Sequence, residues 1–123
     1  MSDNHPNTHQ TALKLGQYLN DLKAKDVMVL DVKETCTWTD YFVLGTYNSQ
    51  GHLKGLVQEM EDWAAEHYPE ARQRPKKNQV NEWMLIDWDG IVIHLFSDSA
   101  RAYYELEKLW FTAPVLYSSK SSY

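Results

Sequence analysis

The chain has 123 residues, 43% of them hydrophobic and 13% aromatic, with five Trp and eight Tyr: enough for one domain with a packed core, and too apolar for disorder throughout. Asp and Glu number 17 against 12 Lys and Arg, a net charge of −5, which argues against nucleic acid phosphate and anionic membrane as partners and favours a basic protein surface. Cys36 is the only cysteine, so no internal disulfide and no thiolate metal cluster is possible, as suits a reducing compartment.

No apolar run reaches the ~20 residues that span a bilayer. The start, "MSDNHPNTHQ", lacks the basic and apolar segments of a secretory signal and the arginines of a mitochondrial transit peptide. The expectation is a soluble, cytoplasmic protein. Residues 1–8 are polar and read as a disordered N-terminus, 9–114 as the domain, and 115–123 as an irregular C-terminal tail.

A first helix is predicted over about residues 9–24. Leu15, Tyr18, Leu19 and Leu22 recur there at i, i+3, i+4 and i+7, one apolar stripe. "DVMVLDVKE" at 26–34 reads as a β-branched strand, broken by "TCTWTD". "YFVLGTY" at 41–47 is nearly continuous in apolar residues, the mark of a central strand covered on both faces. Asn48 or Ser49 can cap a second helix, whose inner stripe is Leu53, Leu56, Val57, Met60, Trp63 and Ala64. Pro69 stops it, having no N–H to donate. A short edge strand is expected around 71–74 in a polar stretch. Two strands then follow in "WMLIDWDGIVIHLF", residues 83–96. "SDSARAYYELEKLW" is a last helix, with Ser97, Asp98 or Ser99 as its cap and Tyr103, Leu106 and Trp110 on its inner stripe. Interleaved helices and strands give an α/β fold, a single mixed β-sheet of about five strands flanked by helices.

Residues 83–96 carry the main functional hint. Asp89-Gly90 suits a two-residue type I′ turn, where both positions need φ > 0. That register pairs Trp83 with Phe96, Leu85 with His94, and Asp87 with Val92. One face, Met84, Ile86, Trp88, Ile91, Ile93 and Leu95, is wholly apolar and belongs to the core. The other, Trp83, Leu85, Asp87, Val92, His94 and Phe96, mixes aromatics with an acid and an imidazole. Either the last helix buries it, or part stays open as a contact patch.

Catalytic equipment is sparse. Asp87-x-Asp89 resembles a metal-binding carboxylate pair, but Asp89 is better used in the turn, and no glycine-rich phosphate loop follows a strand. The five His make no HxxxH or HExxH pair. Neither a metal nor a cofactor is expected. Arg72, Arg74, Lys76 and Lys77 form the one basic cluster, read as edge protection or as a phosphate contact, with RNA nearby. An unpaired edge strand leaves room for a homodimer.

"DYFVLGTYNSQGHLKGLVQEME", "EWMLIDWDGIVIHLF" and "ARAYYELEKLW-x-x-AP" together resemble the Iojap family of ribosomal silencing factors, RsfS, over about residues 11–114. The matching residues are Asp40-Tyr41-Phe42, Asn48-Ser49, Glu82-Trp83, Asp87, His94 and Tyr104 through Trp110. Phe111-Thr112, "ETCTWT" and Gln50-Gly51 depart from the family pattern. The resemblance implies a fold like the nucleotidyltransferases without their catalytic carboxylates, and a protein that is not an enzyme. It implies binding to the large ribosomal subunit through ribosomal protein fourteen, which blocks joining to the small subunit and represses translation when nutrients are short. The contact residues expected are Trp83, Asp87, His94, Tyr104, Glu107 and Trp110. The rival is a nucleotide-dependent enzyme of nucleotidyltransferase type using Asp87 and Asp89.

Overall fold

A computed structural model of the chain describes residues 8–69, 76–88, 90–104 and 112–119. Helix α1 spans Thr8–Asp21, and it buries Ala12, Leu15 and Leu19 at the expected spacing. Tyr18 lies at the border of that stripe, its ring stacked on Trp63 and its hydroxyl donating to Glu59 Oε1 at 2.9 Å. A Cβ at Gly16 would lie 2.5 Å from Val29 Cγ2, so only glycine lets α1 settle this closely on the sheet. Strand β1 (Lys25–Asp31) pairs antiparallel with β2 (Tyr41–Thr46). Their register shifts between Lys25 and Met28, where Asp26 takes φ 50°.

Every residue of β2 is buried, as its unbroken apolar run demands. It leads into α2 (Gln50–His67), capped by Ser49, whose hydroxyl accepts the His52 N–H at 3.1 Å. Leu53, Leu56, Met60 and Ala64 are buried, and Val57 and Trp63 pack beside them half-exposed. The helix closes at Tyr68, ahead of Pro69. The edge strand expected at 71–74 lies outside the described residues. The described edge strand is β3 (Lys76–Val80), joined to β4 (Trp83–Asp87) through Asn81 at φ 55° and Glu82.

β4 pairs antiparallel with β5 (Ile91–Phe96) in the register read from sequence: Trp83 with Phe96, Leu85 with His94, Asp87 with Val92. The Trp88 N–H donates to the Ile91 carbonyl at 2.8 Å across a turn in which Gly90 has φ 106°. Asp89 lies outside the described residues. Helix α3 is described over Asp98–Tyr104, and Ser97 is its cap, accepting the Ala100 N–H at 3.1 Å. Residues 105–111 lie outside the description, and so do the side chains of Tyr103 and Tyr104.

The fold is thus α/β, one mixed sheet flanked by helices, in the order β3-β4-β5-β2-β1-β6. Among the described strands only β2 and β5 pair in parallel. The sixth strand corrects the expectation of an irregular tail. Val115–Ser118 form β6, antiparallel to β1, with Tyr117 opposite Val29. Without it β1 would end the sheet with an unpaired row of backbone groups. Pro114, which cannot donate, sits just ahead of the strand, where its carbonyl accepts the Asp31 N–H at 3.0 Å. Ser119 continues the tie: its N–H donates to the Val27 carbonyl, and its hydroxyl accepts the Val27 N–H.

Candidate partner-binding face

The sheet separates two cores. On one side α1 and α2 cover Val27, Val29, Val43, Ile86, Ile91, Ile93 and Leu95. On the other, Leu30, Phe42, Leu44, Val92 and Phe96 pack with Val32 and Cys36 of the turn after β1, with Ala100 of α3 and with Ala113. Alternation along β4 and β5 sends Met84 and Ile86 to the first side and Trp83, Leu85 and Asp87 to the second. Both readings of the second face therefore hold in part. Val92, His94 and Phe96 on β5 are sealed, Val92 and Phe96 in the cluster that also holds Val32, Cys36, Ala100 and Ala113. Trp83, Leu85 and Asp87 on β4, one strand nearer the sheet edge, stay half-exposed.

The sealed centre is aromatic. Trp83 stacks on Phe96 with ring centroids 5.4 Å apart, and Phe42 meets the His94 ring edge-to-face at 4.5 Å. Trp38 continues the row, 5.9 Å from Phe42, and is 57% exposed. Trp38 escaped the reading of the sequence because it lies in the polar break "TCTWTD" with no periodic partner. A lone Trp between threonines was the available signal.

His94 is 2% exposed. Its Nδ1 accepts the Trp83 indole N–H at 3.1 Å, which fixes the neutral tautomer with the proton on Nε2. Burial among apolar rings lowers its pKa to about 3, since the charged form would be stripped of water. The ring of His94, expected among the contact residues, is sealed behind Trp83 and does not reach the surface. Trp83 and Asp87 do reach it. Tyr104 closes the described part of α3, and Glu107 and Trp110 lie outside it.

Glu82, the residue before Trp83, is tied to the start of α3. Glu82 accepts hydrogen bonds from the Ser97 and Ser99 hydroxyls, and these hold its carboxyl below the usual range. The Glu82 carbonyl also accepts the Ser97 N–H at 3.1 Å, so the β3–β4 turn and the α3 cap brace each other. Arg101, which the sequence reading passed over, is buried and donates from Nη1 to Thr46 Oγ1 at 2.9 Å, tying α3 to β2. Among the described residues no three His, Cys, Asp or Glu side chains converge as a metal site would need. Of the rival's carboxylates only Asp87 is described. Of the basic cluster, Lys76 and Lys77 lie on β3, while Arg72 and Arg74 fall outside the described residues.

The family pattern described as "Ribosomal silencing factor during starvation" matches residues 5–122. The chain belongs to the RsfS family. It is similar to the ribosomal silencing factor RsfS of Treponema pallidum, 35% identical over 100 residues that cover 80% of this chain and 88% of that protein. RsfS of Halalkalibacterium halodurans is 34% identical over 98 residues, 80% of this chain and 83% of that one. Among solved structures, a crystal structure of a protein from Chromobacterium violaceum superposes with a TM-score of 0.70. It covers 98% of this chain and 92% of that one at 22% identity, a likeness of fold. No helix among the described residues is long and apolar enough to cross a membrane.

Proposed function

We propose that this RsfS-family chain binds the large ribosomal subunit through ribosomal protein fourteen, blocks joining to the small subunit by occupying that face, and represses translation in the cytoplasm when nutrients are short. The observation that carries the reading is the half-exposed row of Trp83, Leu85 and Asp87 on β4, in a family whose name is ribosomal silencing. Trp83 supplies an apolar anchor with a flat ring of the type that dominates binding hot spots. Asp87 offers a carboxylate to a Lys or Arg of the partner, and the chain's net −5 charge draws it towards a cationic ribosomal protein. Tyr104, Glu107 and Trp110 extend the contact beyond β4. The function is steric occlusion rather than catalysis, and needs no cofactor or metal. Arg72, Arg74, Lys76 and Lys77 lie near ribosomal RNA in the bound state. The outer strands β3 and β6 leave an edge through which a homodimer could pair.

Sedimentation with purified ribosomal subunits tests this. The protein should travel with large subunits and not with small ones, and should lower the yield of joined ribosomes. Equal association with both subunits, or with neither, would overturn the proposal.

A further inference from the structure

The half-exposed Trp83 side chain directs its indole N–H inward, to a buried histidine. Tryptophan has a single side-chain donor, that N–H, and no acceptor. An indole lying on a sheet surface could turn about its two side-chain torsions and present either edge. In this fold Nε1–H points at His94 Nδ1 at 3.1 Å while the ring stacks on Phe96 at 5.4 Å, so its tilt and its edge are both set. Trp83 and His94 are diagonal neighbours across the β4–β5 pair, because Trp83 faces Phe96 and His94 faces Leu85. The histidine is itself held by Phe42, edge-to-face at 4.5 Å. Among the described residues no acceptor reaches its Nε2. A buried polar atom without a partner costs stability, and a phenylalanine there would fill a similar space without that cost. What a phenylalanine could not do is accept the indole proton.

We propose that His94 is a positioning residue of the partner-binding face: its Nδ1 fixes the Trp83 indole in the orientation that the ribosomal partner meets. The inference rests on the proposed contact role of Trp83, and it adds a part for the sealed histidine behind it. Pre-orientation raises affinity because less side-chain freedom is lost on binding.

Three single variants, one double variant, NMR and subunit affinity test it. His94→Phe keeps the aromatic volume and deletes the acceptor. His94→Asn restores an acceptor oxygen close to the Nδ1 position. Trp83→Phe deletes the donor and, by the resonance it removes, assigns the Trp83 indole N–H in the NMR spectrum. In the unaltered protein, nitrogen shifts of the His94 ring should report a proton on Nε2 and a bare Nδ1. The Trp83 N–H should exchange slowly with solvent.

In His94→Phe that resonance should move upfield and exchange faster, and affinity for large subunits should fall about threefold to tenfold, the weight of one neutral hydrogen bond. His94→Asn should recover part of both. Joined to Trp83→Phe, His94→Phe should cost almost nothing more. A Trp83 resonance indifferent to residue 94, a bare Nε2 in the unaltered protein, or fully additive losses in the double variant would overturn the proposal. Should His94→Phe fail to fold, the ring-nitrogen shifts and the exchange rate in the unaltered protein still decide whether the bond holds the indole. If the unaltered protein binds no subunit at all, the proposed function falls, while the resonances still decide the positioning.

Discussion

The two faces of this sheet are covered in different ways. On one side two helices of 14 and 18 residues seal Ile86, Ile91, Ile93 and Leu95. On the other, the turn after β1, the start of α3 and Ala113 seal the middle, and the aromatic row surfaces at both ends, at Trp38 and Trp83. The same hairpin serves both. Residues of even number on β4 lock the fold, and residues of odd number face the side we assign to the partner. A strand of period two can thus divide stability from recognition within five residues.

The largest test of that division is acid. His94 is neutral in the fold with a pKa lowered to about 3, against about 6.5 when the chain is unfolded. The unfolded state therefore binds the extra proton first as pH falls. Stability from this site is complete above pH about 6.5 and is lost on the way down to about 3, at roughly 1.4 kcal/mol per pH unit. Denaturant midpoints measured between pH 7 and 4 should show this slope. His94→Asn should remove it. An unchanged slope in that variant would mean that residue 94 does not carry the acid sensitivity.

Next in size is the helix-covered side. Leu15 is wholly buried between α1 and the sheet, so Leu15→Ala should cost about 3 kcal/mol through lost transfer energy and a cavity. Subunit binding per folded molecule should stay as it was. A comparable loss of affinity would show that the two faces are not separable. Trp83→Ala inverts the pattern. It should cost about 2 kcal/mol of binding, around thirtyfold, with a smaller change in melting temperature than Leu15→Ala, because Trp83 is half-exposed. Sedimentation and thermal melts on the same preparations check both halves.

How much of this was legible beforehand differs between the faces for the same reason. The hairpin register followed from Asp89-Gly90 and the alternation around it, since a turn of fixed length leaves no freedom to slide. The stripes of α1 and α2 followed from helical period, with Tyr18 at the rim, where its hydroxyl reaches Glu59. β6 was not legible, because four residues of tail have no periodicity and form a strand only because β1 offers an edge. The burial of His94 was one of two readings the alternation left open, because period two sets the face of a strand residue but not what covers that face. The partner face therefore emerged as a set of candidates, and the fold sorts the described ones into Trp83 and Asp87 at the surface and His94 behind them.

The smallest test compares the two helix caps. Ser49 accepts the His52 N–H at the start of α2, and Ser97 accepts the Ala100 N–H at the start of α3, both at 3.1 Å. As caps alone they should weigh the same, and each change to Ala should cost about 1 kcal/mol. They differ in what else they touch. Ser49 sits on an exposed loop whose neighbour, His52, bonds the Asn48 N–H and the Leu22 carbonyl, so the α2 start keeps other ties when the hydroxyl is gone. The Ser97 hydroxyl also donates to Glu82, the residue before Trp83, and so links α3 to the strand that bears the contact row. Ser97→Ala should therefore weaken subunit binding by a few-fold beyond its effect on folding, while Ser49→Ala should leave binding alone. Equal binding by the two variants would confine Ser97 to capping, and would place the rigidity of the Trp83 edge in the His94 bond alone.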